Sequence, residues 1–342
     1  MSSYAIYRLP QHDNCTLLMQ STGDPLILGS LSELNKKDGF VIAPFSQSDD
    51  CPILLLRPDI VESMKVRCDD EINSYSSDKS DIVDSDRENY HKNFSKFHSA
   101  LLSGEFKKIV LSRRVSMKRN SIQQAEDFFM CACRMYPNMF VVLYSTPLSG
   151  TWLVATPEIL LDGDGKKWHT MALAGTMNMD ALVDDLPWSA KNIKEQHYVA
   201  SYVSETLKRF TSDVSEKGPY TIRAADLLHL RSDFSFTLND KNHIGDILDA
   251  LHPTPAVCGL PQKQTMDFIL KNEHSPRRYY SGFIGPVYPY HNTHVYVSLR
   301  CMEIKKDVCD LYVGGGLLND SDEESEWQET ENKLNTIKNV FK

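Results

Sequence analysis

The sequence predicts a mixed α/β fold, of the α+β type, with extensive β-sheet. Apolar runs of strand length recur along the chain, amphipathic helical patterns separate them, and no internal repeat is visible. Of the 342 residues, 41% are hydrophobic and 24% are charged, which is typical of a globular protein. A chain of this length can bury a large core, as one large domain or two smaller ones.

Helices are predicted where apolar residues recur at three- and four-residue spacing. Their expected positions are 88–103, 122–135, 188–210, 261–272 and 323–340. Strands are predicted at short apolar runs bounded by turn residues. Their expected positions are 108–112, 140–145, 152–156, 169–175, 293–304 and 308–314. Residues 1–70 contain further short runs of this kind, and the Ser- and Asp-rich segment 74–86 is typical of a mobile surface linker.

Charge and composition exclude several functional classes. The formal net charge of −9 argues against a general nucleic-acid binder, which needs a basic surface to contact phosphates. The N-terminus has no secretory signal pattern, and no segment is long and apolar enough to cross a bilayer, so we expect a cytoplasmic protein without membrane contact. The eight cysteines lack metal-ligand spacing and are expected to be reduced, mostly buried thiols.

The C-terminal segment carries the richest set of chemical groups. Three glycines, Gly314–Gly316, follow an apolar strand and let backbone N–H groups approach an anion. On the predicted helix that follows, Glu326, Glu329 and Lys333 share one face. These residues either form a solvated, salt-bridged face or hold an anion together with Mg²⁺, which prefers carboxylate oxygens. The phosphate-binding pattern G-x-x-x-x-G-K-[ST] is absent.

Four other positions are candidate functional residues, and each has a structural alternative. Lys108 opens an apolar strand and is either an edge residue or a buried amine able to act as a base. Glu158 follows an apolar strand, as a turn carboxylate or an acid, and Glu195 on the long helix could equally be a surface residue. The segment His252–Pro261, HPTPAVCGLP, has an irregular backbone fixed by prolines, in a structural loop or in a site.

The order of these motifs resembles that of the chorismate-utilising enzymes, which include isochorismate, salicylate, anthranilate and aminodeoxychorismate synthases. The motifs, in chain order, are KIVLSRR (108–114), ATPEILL (155–161), ALAGT (172–176), KEQHYV (194–199), LHPTPAVCGLP (251–261), SLR (298–300) and the glycines 314–316 with EWQETENKL (326–334). The resemblance extends from residue 90 to the C-terminus without large gaps. We therefore identify the chain as resembling this family.

The resemblance implies a fold and a division of the chain. In this family two large antiparallel β-sheets pack together, with helices outside and the active site in a central cleft. Residues 1–87 are then expected to supply N-terminal strands and a linker of the same fold. Residues 88–342 are expected to form the chorismate-binding catalytic region.

The resemblance also implies the catalytic and metal-binding residues. Lys108 corresponds to the general base that activates water, and Glu158 to the general acid that protonates the departing 4-hydroxyl of chorismate. Water would add at C2 as the C4 hydroxyl leaves and a double bond shifts, and a neutral amine beside a carboxylic acid suits these two proton transfers. Glu195 and Glu329 correspond to the Mg²⁺ ligands, with Glu326 as a supporting carboxylate.

Further positions are implied to contact the substrate. They are Gly175, Thr176, His252, Ala256, Tyr280, Arg300, Gly314, Gly315 and Lys333. Among them, arginine suits the substrate's carboxylates because its planar fork can bind both oxygens of one group. Family members often carry arginine after the AGT motif, whereas this chain has Met177-Asn178-Met179.

The HPTPA form of the loop, with Ala256 after the second proline, resembles isochorismate synthases that serve menaquinone or siderophore biosynthesis. Salicylate synthases share the lysine and are the main alternative, and a non-catalytic chorismate-binding subunit is a second one. The chain contains no glutaminase segment, so no glutaminase partner is expected. We expect a monomer or weak homodimer that acts on free chorismate.

Overall fold

The computed structural model describes residues 2–66, 82–84, 86–119, 123–178, 187–224, 227–238, 240, 243–288 and 291–341. Within these residues two large antiparallel β-sheets pack against each other, and helices cover their outer faces. The predicted fold class is confirmed. Most of the predicted linker 74–86 lies outside the described residues.

The strands of the described residues follow in chain order. They are β1 (Ser3–Arg8), β2 (Asn14–Gln20), β3 (Leu26–Leu28), β4 (Gly39–Ala43), β5 (Ile53–Leu56), β6 (Ile60–Lys65), β7 (Ile82–Asp84), β8 (Lys108–Lys118), β9 (Phe140–Thr146), β10 (Gly150–Thr156), β11 (Ile159–Gly163), β12 (Lys167–Asn178), β13 (Val214–Ala224), β14 (Leu227–Thr237), β15 (Gly259–Leu260), β16 (Phe283–Val287), β17 (Thr293–Val297), β18 (Cys301–Ile304) and β19 (Val308–Leu317). The first sheet has the order β15-β8-β19-β18-β10-β9-β1-β2-β6, with β7 also paired to β8. The second has the order β13-β14-β12-β11-β17-β16-β4-β5-β3.

Six α-helices are defined in the described residues. They are α1 (Arg87–Leu102), α2 (Ala125–Met135), α3 (Ala190–Leu207), α4 (Ile244–Leu251), α5 (Gln262–Asn272) and α6 (Glu323–Lys338), with short 3₁₀ helices at Leu31–Leu34 and Asn339–Phe341. Side chains fix where two of them begin, because Ser189 caps α3 and Asp322 caps α6 by accepting from backbone N–H groups. Among these helices, none is long and apolar enough to span a membrane.

Hydrophobic side chains pack in three layers, one between the two sheets and one on the outer face of each sheet. Between the sheets, apolar and aromatic side chains of both meet, and the rings of Phe140 and Tyr296 stack with centroids 4.3 Å apart. Helices α3 and α4 pack on the outer face of the second sheet, and α2 and α6 on that of the first. Strands β1 to β6 enter both sheets, so the N-terminal residues are integral to this core. Seven of the eight cysteines lie in the described residues, and all seven are buried free thiols, as predicted.

Candidate active site

The candidate site is a cavity bordered by β19 of the first sheet, by β12 and β14 of the second sheet, and by α3. Strand β19 pairs with β8 so that Gly314 lies opposite Ser112 and Gly316 opposite Val110. The predicted glycine segment thus runs beside the strand that begins with Lys108. The polar groups that line the cavity are Glu158, Gly175, Thr176, Glu195, His229, Tyr280, Arg300, Gly314, Gly316 and Lys333, and Ala256 contributes an apolar wall.

Lys108 is fully buried, and its Nζ lies 2.9 Å from Oε1 of Glu195. This contact depends on the bare backbone of Gly316, because a methyl group built there would collide with Oε1 of Glu195 and lie 2.8 Å from Cε of Lys108. Burial by itself raises the pKa of Glu195, but the charges of Lys108, Lys191 and Lys333 outweigh it and hold the pKa below its ordinary value. Glu195 is therefore ionised at neutral pH, with a lysine as its partner.

Glu158 lies directly after β10, held by a turn in which its backbone N–H donates to Oγ1 of Thr156 at 3.3 Å. Only 3% of the residue is exposed. Burial raises the pKa of this carboxyl from 4.5 to about 7, and the charges of Lys108, Arg300 and Lys333 reduce the rise only in part. At neutral pH a large fraction of Glu158 thus carries a proton that it can donate into the cavity.

Arg300 is held by His229, a residue that the sequence analysis did not single out. Nη2 of Arg300 lies 2.8 Å from Nε2 of His229, and Nδ1 of the same ring lies 2.9 Å from the carbonyl oxygen of Gly175. Burial and the charges of Arg300 and Lys333 lower the pKa of His229 well below its ordinary value, so the ring is neutral. Because the Gly175 carbonyl can only accept, Nδ1 carries the proton and Nε2 accepts from the arginine.

His229 was missed because a lone histidine in an apolar strand gives no chemical signal. Its place follows from the pairing of β14 with β12, which sets His229 opposite Thr176. A β-bulge at Gly175, whose φ is 75°, turns the carbonyl of that residue toward the ring. Arg300 itself has a φ of 48°, a conformation that non-glycine residues adopt only where the surroundings impose it.

Glu326 and Glu329 lie on the face of α6 that covers Gly315, each paired with a lysine. Lys191 on α3 forms an ion pair with Oε1 of Glu326, and Nζ of Lys333 lies 2.7 Å from Oε1 of Glu329 and 3.2 Å from the carbonyl oxygen of Gly314. Burial and the nearby charge of Glu329 raise the pKa of Glu326 to about 7, although Lys191 opposes them. The carboxylates of Glu326 and Glu329 repel each other, so both can be ionised only with positive charge nearby.

The carboxylates of Glu326 and Glu329 are the kind of group that binds a divalent cation. Carboxylate oxygens are preferred by Mg²⁺, and Oε2 of Glu326 is buried without a hydrogen-bond partner among the described residues. A methyl group built at Gly315 would lie 3.6 Å from this oxygen and 3.5 Å from Oε1 of Glu329, so both oxygens face the same bare stretch of backbone. In the described parts of the chain, however, no three acidic, histidine or cysteine side chains converge closely enough to hold a metal as they stand.

The remaining predicted residues lie in different surroundings. Ala256 borders the cavity, but His252 of the same loop does not, since its Nε2 lies 3.1 Å from the carbonyl oxygen of Pro44 and its ring packs edge-on against Phe283. Burial lowers the pKa of His252 to about 4, so the ring is neutral. In the structure His252 therefore braces the loop, and its predicted contact with the substrate stays a prediction.

The structure also locates Gly315 and part of the segment after the AGT motif. Gly315 faces α6 rather than the cavity, because successive residues of a strand point to opposite faces. Its predicted contact with a substrate carboxylate could therefore involve only the backbone. In the segment after the AGT motif, Met179 and the side chain of Asn178 lie outside the described residues.

Comparison with known proteins identifies a matching family and similar sequences. The sequence profile of the family described as "Chorismate binding enzyme" matches residues 46–342. Isochorismate synthase EntC of Escherichia coli K12 is 30% identical over 208 residues, which are 58% of this chain and 53% of that protein. Isochorismate synthase MenF of the same strain is 29% identical over 248 residues, 70% of this chain and 57% of MenF. The match thus spans little more than half the length of these two curated relatives.

Solved structures share the fold over nearly the whole chain. A putative 2,3-dihydroxybenzoate-specific isochorismate synthase, DhbC of Bacillus anthracis, superimposes with a TM-score of 0.83 at 20% identity, over 99% of this chain and 95% of that one. The menaquinone-specific MenF of E. coli gives a TM-score of 0.80 at 21% identity, over 99% and 89% of the two chains. Because the family profile covers most of the sequence, the chain belongs to the family of chorismate-binding enzymes.

Proposed function

We propose that the protein is a Mg²⁺-dependent isochorismate synthase that converts chorismate to isochorismate. The observation that carries this proposal is the presence of a protonatable acid and a buried amine at one site. Glu158 lines the cavity as a buried carboxyl with a pKa of about 7, and Lys108 is a buried amine whose Nζ lies 2.9 Å from Glu195, which lines the same cavity. The names of the sequence relatives support the same activity, since EntC and MenF are isochorismate synthases.

In the proposed reaction Lys108 is the base that removes a proton from the water that attacks C2 of the ring. Glu158 gives its proton to the C4 hydroxyl, which leaves as water while the ring double bond shifts. One water enters and one leaves, so the product is an isomer of the substrate. The fraction of Glu158 that is protonated at neutral pH makes it a competent donor in this step.

Cationic groups surround the cavity and match the two carboxylates of chorismate. Arg300, fixed by His229, can present its guanidinium fork to one carboxylate, and Lys333 with Tyr280 borders the same space. The backbone of Gly314 and Gly315 would complete this wall. Glu195 and Glu329, with Glu326, would hold Mg²⁺, whose charge would neutralise and orient the ring carboxylate.

The proposal is tested by incubating the purified protein with chorismate and MgCl₂ and separating the products. Isochorismate alone is the expected product. Salicylate with pyruvate, formed without an added lyase, would instead identify a salicylate synthase, and unchanged chorismate that still binds would identify a non-catalytic subunit. Lys108→Ala is expected to abolish turnover while chorismate binding persists, whereas its exposed neighbour in Lys107→Ala serves as the matched control.

A further inference from the structure

Arg8, the last residue of β1, lies outside the part of the chain that the family profile matches. Only 3% of this arginine is exposed. Its guanidinium donates to three backbone carbonyls of one turn, those of Tyr136 at 2.6 Å, Pro137 at 2.9 Å and Met139 at 2.9 Å. Hydrogen bonds from a charged donor are stronger than neutral ones, so Arg8 fixes the path of the turn between α2 and β9 together with the backbone bonds from Gln11 to Pro137 at 2.7 Å and from Met139 to Tyr136 at 3.1 Å.

The turn reaches Arg300 through Met139. The side chain of Met139 is buried, and its Sδ lies 4.0 Å from Nη1 of Arg300, while Nη2 of Arg300 contacts His229 at 2.8 Å. The guanidinium of Arg300 is therefore bounded on one side by His229 and on the other by Met139. A thioether at this distance contributes mainly by packing, so its effect depends on where the turn places it.

We propose that Arg8 is a positioning residue for Arg300, acting through the turn Tyr136–Met139. This rests on the proposed function, in which Arg300 binds a substrate carboxylate. Without the guanidinium the Met139 carbonyl loses its charged donor and the carbonyls of Tyr136 and Pro137 keep only backbone donors, so the turn relaxes and Met139 no longer holds Nη1 in place. Lysine at this position keeps the charge but cannot reproduce the fixed fork of donors. The N-terminal strand thereby contributes to substrate affinity without touching substrate.

The test is steady-state kinetics of Arg8→Met with chorismate at saturating MgCl₂. The KM for chorismate is expected to rise roughly threefold to thirtyfold, with kcat changed by less than about twofold. Arg8→Lys, which is also the fallback if the methionine variant does not fold, is expected to give a smaller rise. Arg119→Met is the matched control, because Arg119 also donates to two backbone carbonyls, of Lys305 and Gln123. Its KM should remain that of the wild type.

A purely structural role would lower the melting temperature of the Arg8 variants and leave KM unchanged, which would overturn the proposal. Whether Arg8 acts through Arg300 is tested in a protein that already carries Arg300→Lys. There Arg8→Met should raise KM no further, and a full additional rise would refute the route. A wild-type protein that does not convert chorismate would refute the proposed function itself, and that result is separate from the comparison of variants.

Discussion

Replacing Glu158 by glutamine tests whether burial controls the proton of this carboxyl. Burial raises the pKa of Glu158 from 4.5 to about 7, so the folded protein holds this proton more tightly than the unfolded chain does. The stability that the proton contributes is fully present below pH 4.5 and is lost as the pH rises through about 7. Since one pKa unit corresponds to about 1.4 kcal/mol, the wild type loses about 3 kcal/mol of unfolding free energy in this interval.

Glutamine has nearly the same size and stays neutral at every pH. The free energy of unfolding of Glu158→Gln, relative to the wild type, should therefore increase by about 3 kcal/mol between pH 4.5 and pH 7 and then stay constant. Urea unfolding followed by tryptophan fluorescence at half-unit pH steps measures this difference. Glu105→Gln, at an exposed glutamate, is the control for loss of one negative charge. A difference that does not change with pH would refute the reasoning. The same variant should lack turnover.

Three further predictions follow from the cavity. Gly316→Ala should lower turnover by about 100-fold or more, because its methyl group would displace Glu195. The control is Gly315→Ala, whose methyl group would lie at least 3.5 Å from its neighbours and which should keep a wild-type melting temperature. His229→Leu should raise the KM for chorismate by about tenfold or more, while His229→Gln, which can still accept from arginine, should raise it less. If Glu158 must be protonated, kcat/KM should fall as the pH rises above about 7, and activity that still increases toward pH 9 would contradict this assignment.

Local patterns predicted most of the helices within a few residues. The predicted helix 88–103 corresponds to α1 and the predicted helix 261–272 to α5, because the apolar spacing of a helix is complete within the segment itself. The hairpin of β13 and β14 was not predicted, since one face of β13 is mostly exposed and its polar residues give no strand signal. Strand order was also beyond local patterns, because β8 and β19 are far apart in sequence.

The site could be predicted only where a residue's chemistry is visible from its own motif. Lys108, Glu158 and Glu195 were candidates from their own segments, and the resemblance gave their roles. In the structure Glu158 and Glu195 line the cavity, and Lys108 contacts Glu195. His252 was assigned to the substrate through the resemblance, and in the structure its Nε2 lies 3.1 Å from the carbonyl oxygen of Pro44. The direction of a side chain in an irregular loop depends on contacts with distant segments. His229 was missed for the same reason, because its partners are supplied by other strands.

Two glutamates of the cavity show that partners, more than burial, decide which role a carboxylate can fill. Glu158 and Glu195 are both buried, but the pKa of Glu158 is raised and that of Glu195 is lowered. The difference is Lys108, which contacts Glu195 directly, whereas no lysine or arginine of the described residues forms an ion pair with Glu158. An ionised carboxylate can bind a cation but cannot donate a proton, so the pairing itself separates the proposed ligand from the proposed acid. Glu326 shows the limit of such pairing, because burial and the negative charge of Glu329 raise its pKa to about 7 despite the ion pair with Lys191. The proposed Mg²⁺, which Glu195 and Glu329 with Glu326 would hold, would offset that repulsion by its charge, whereas Glu158 would not be a ligand.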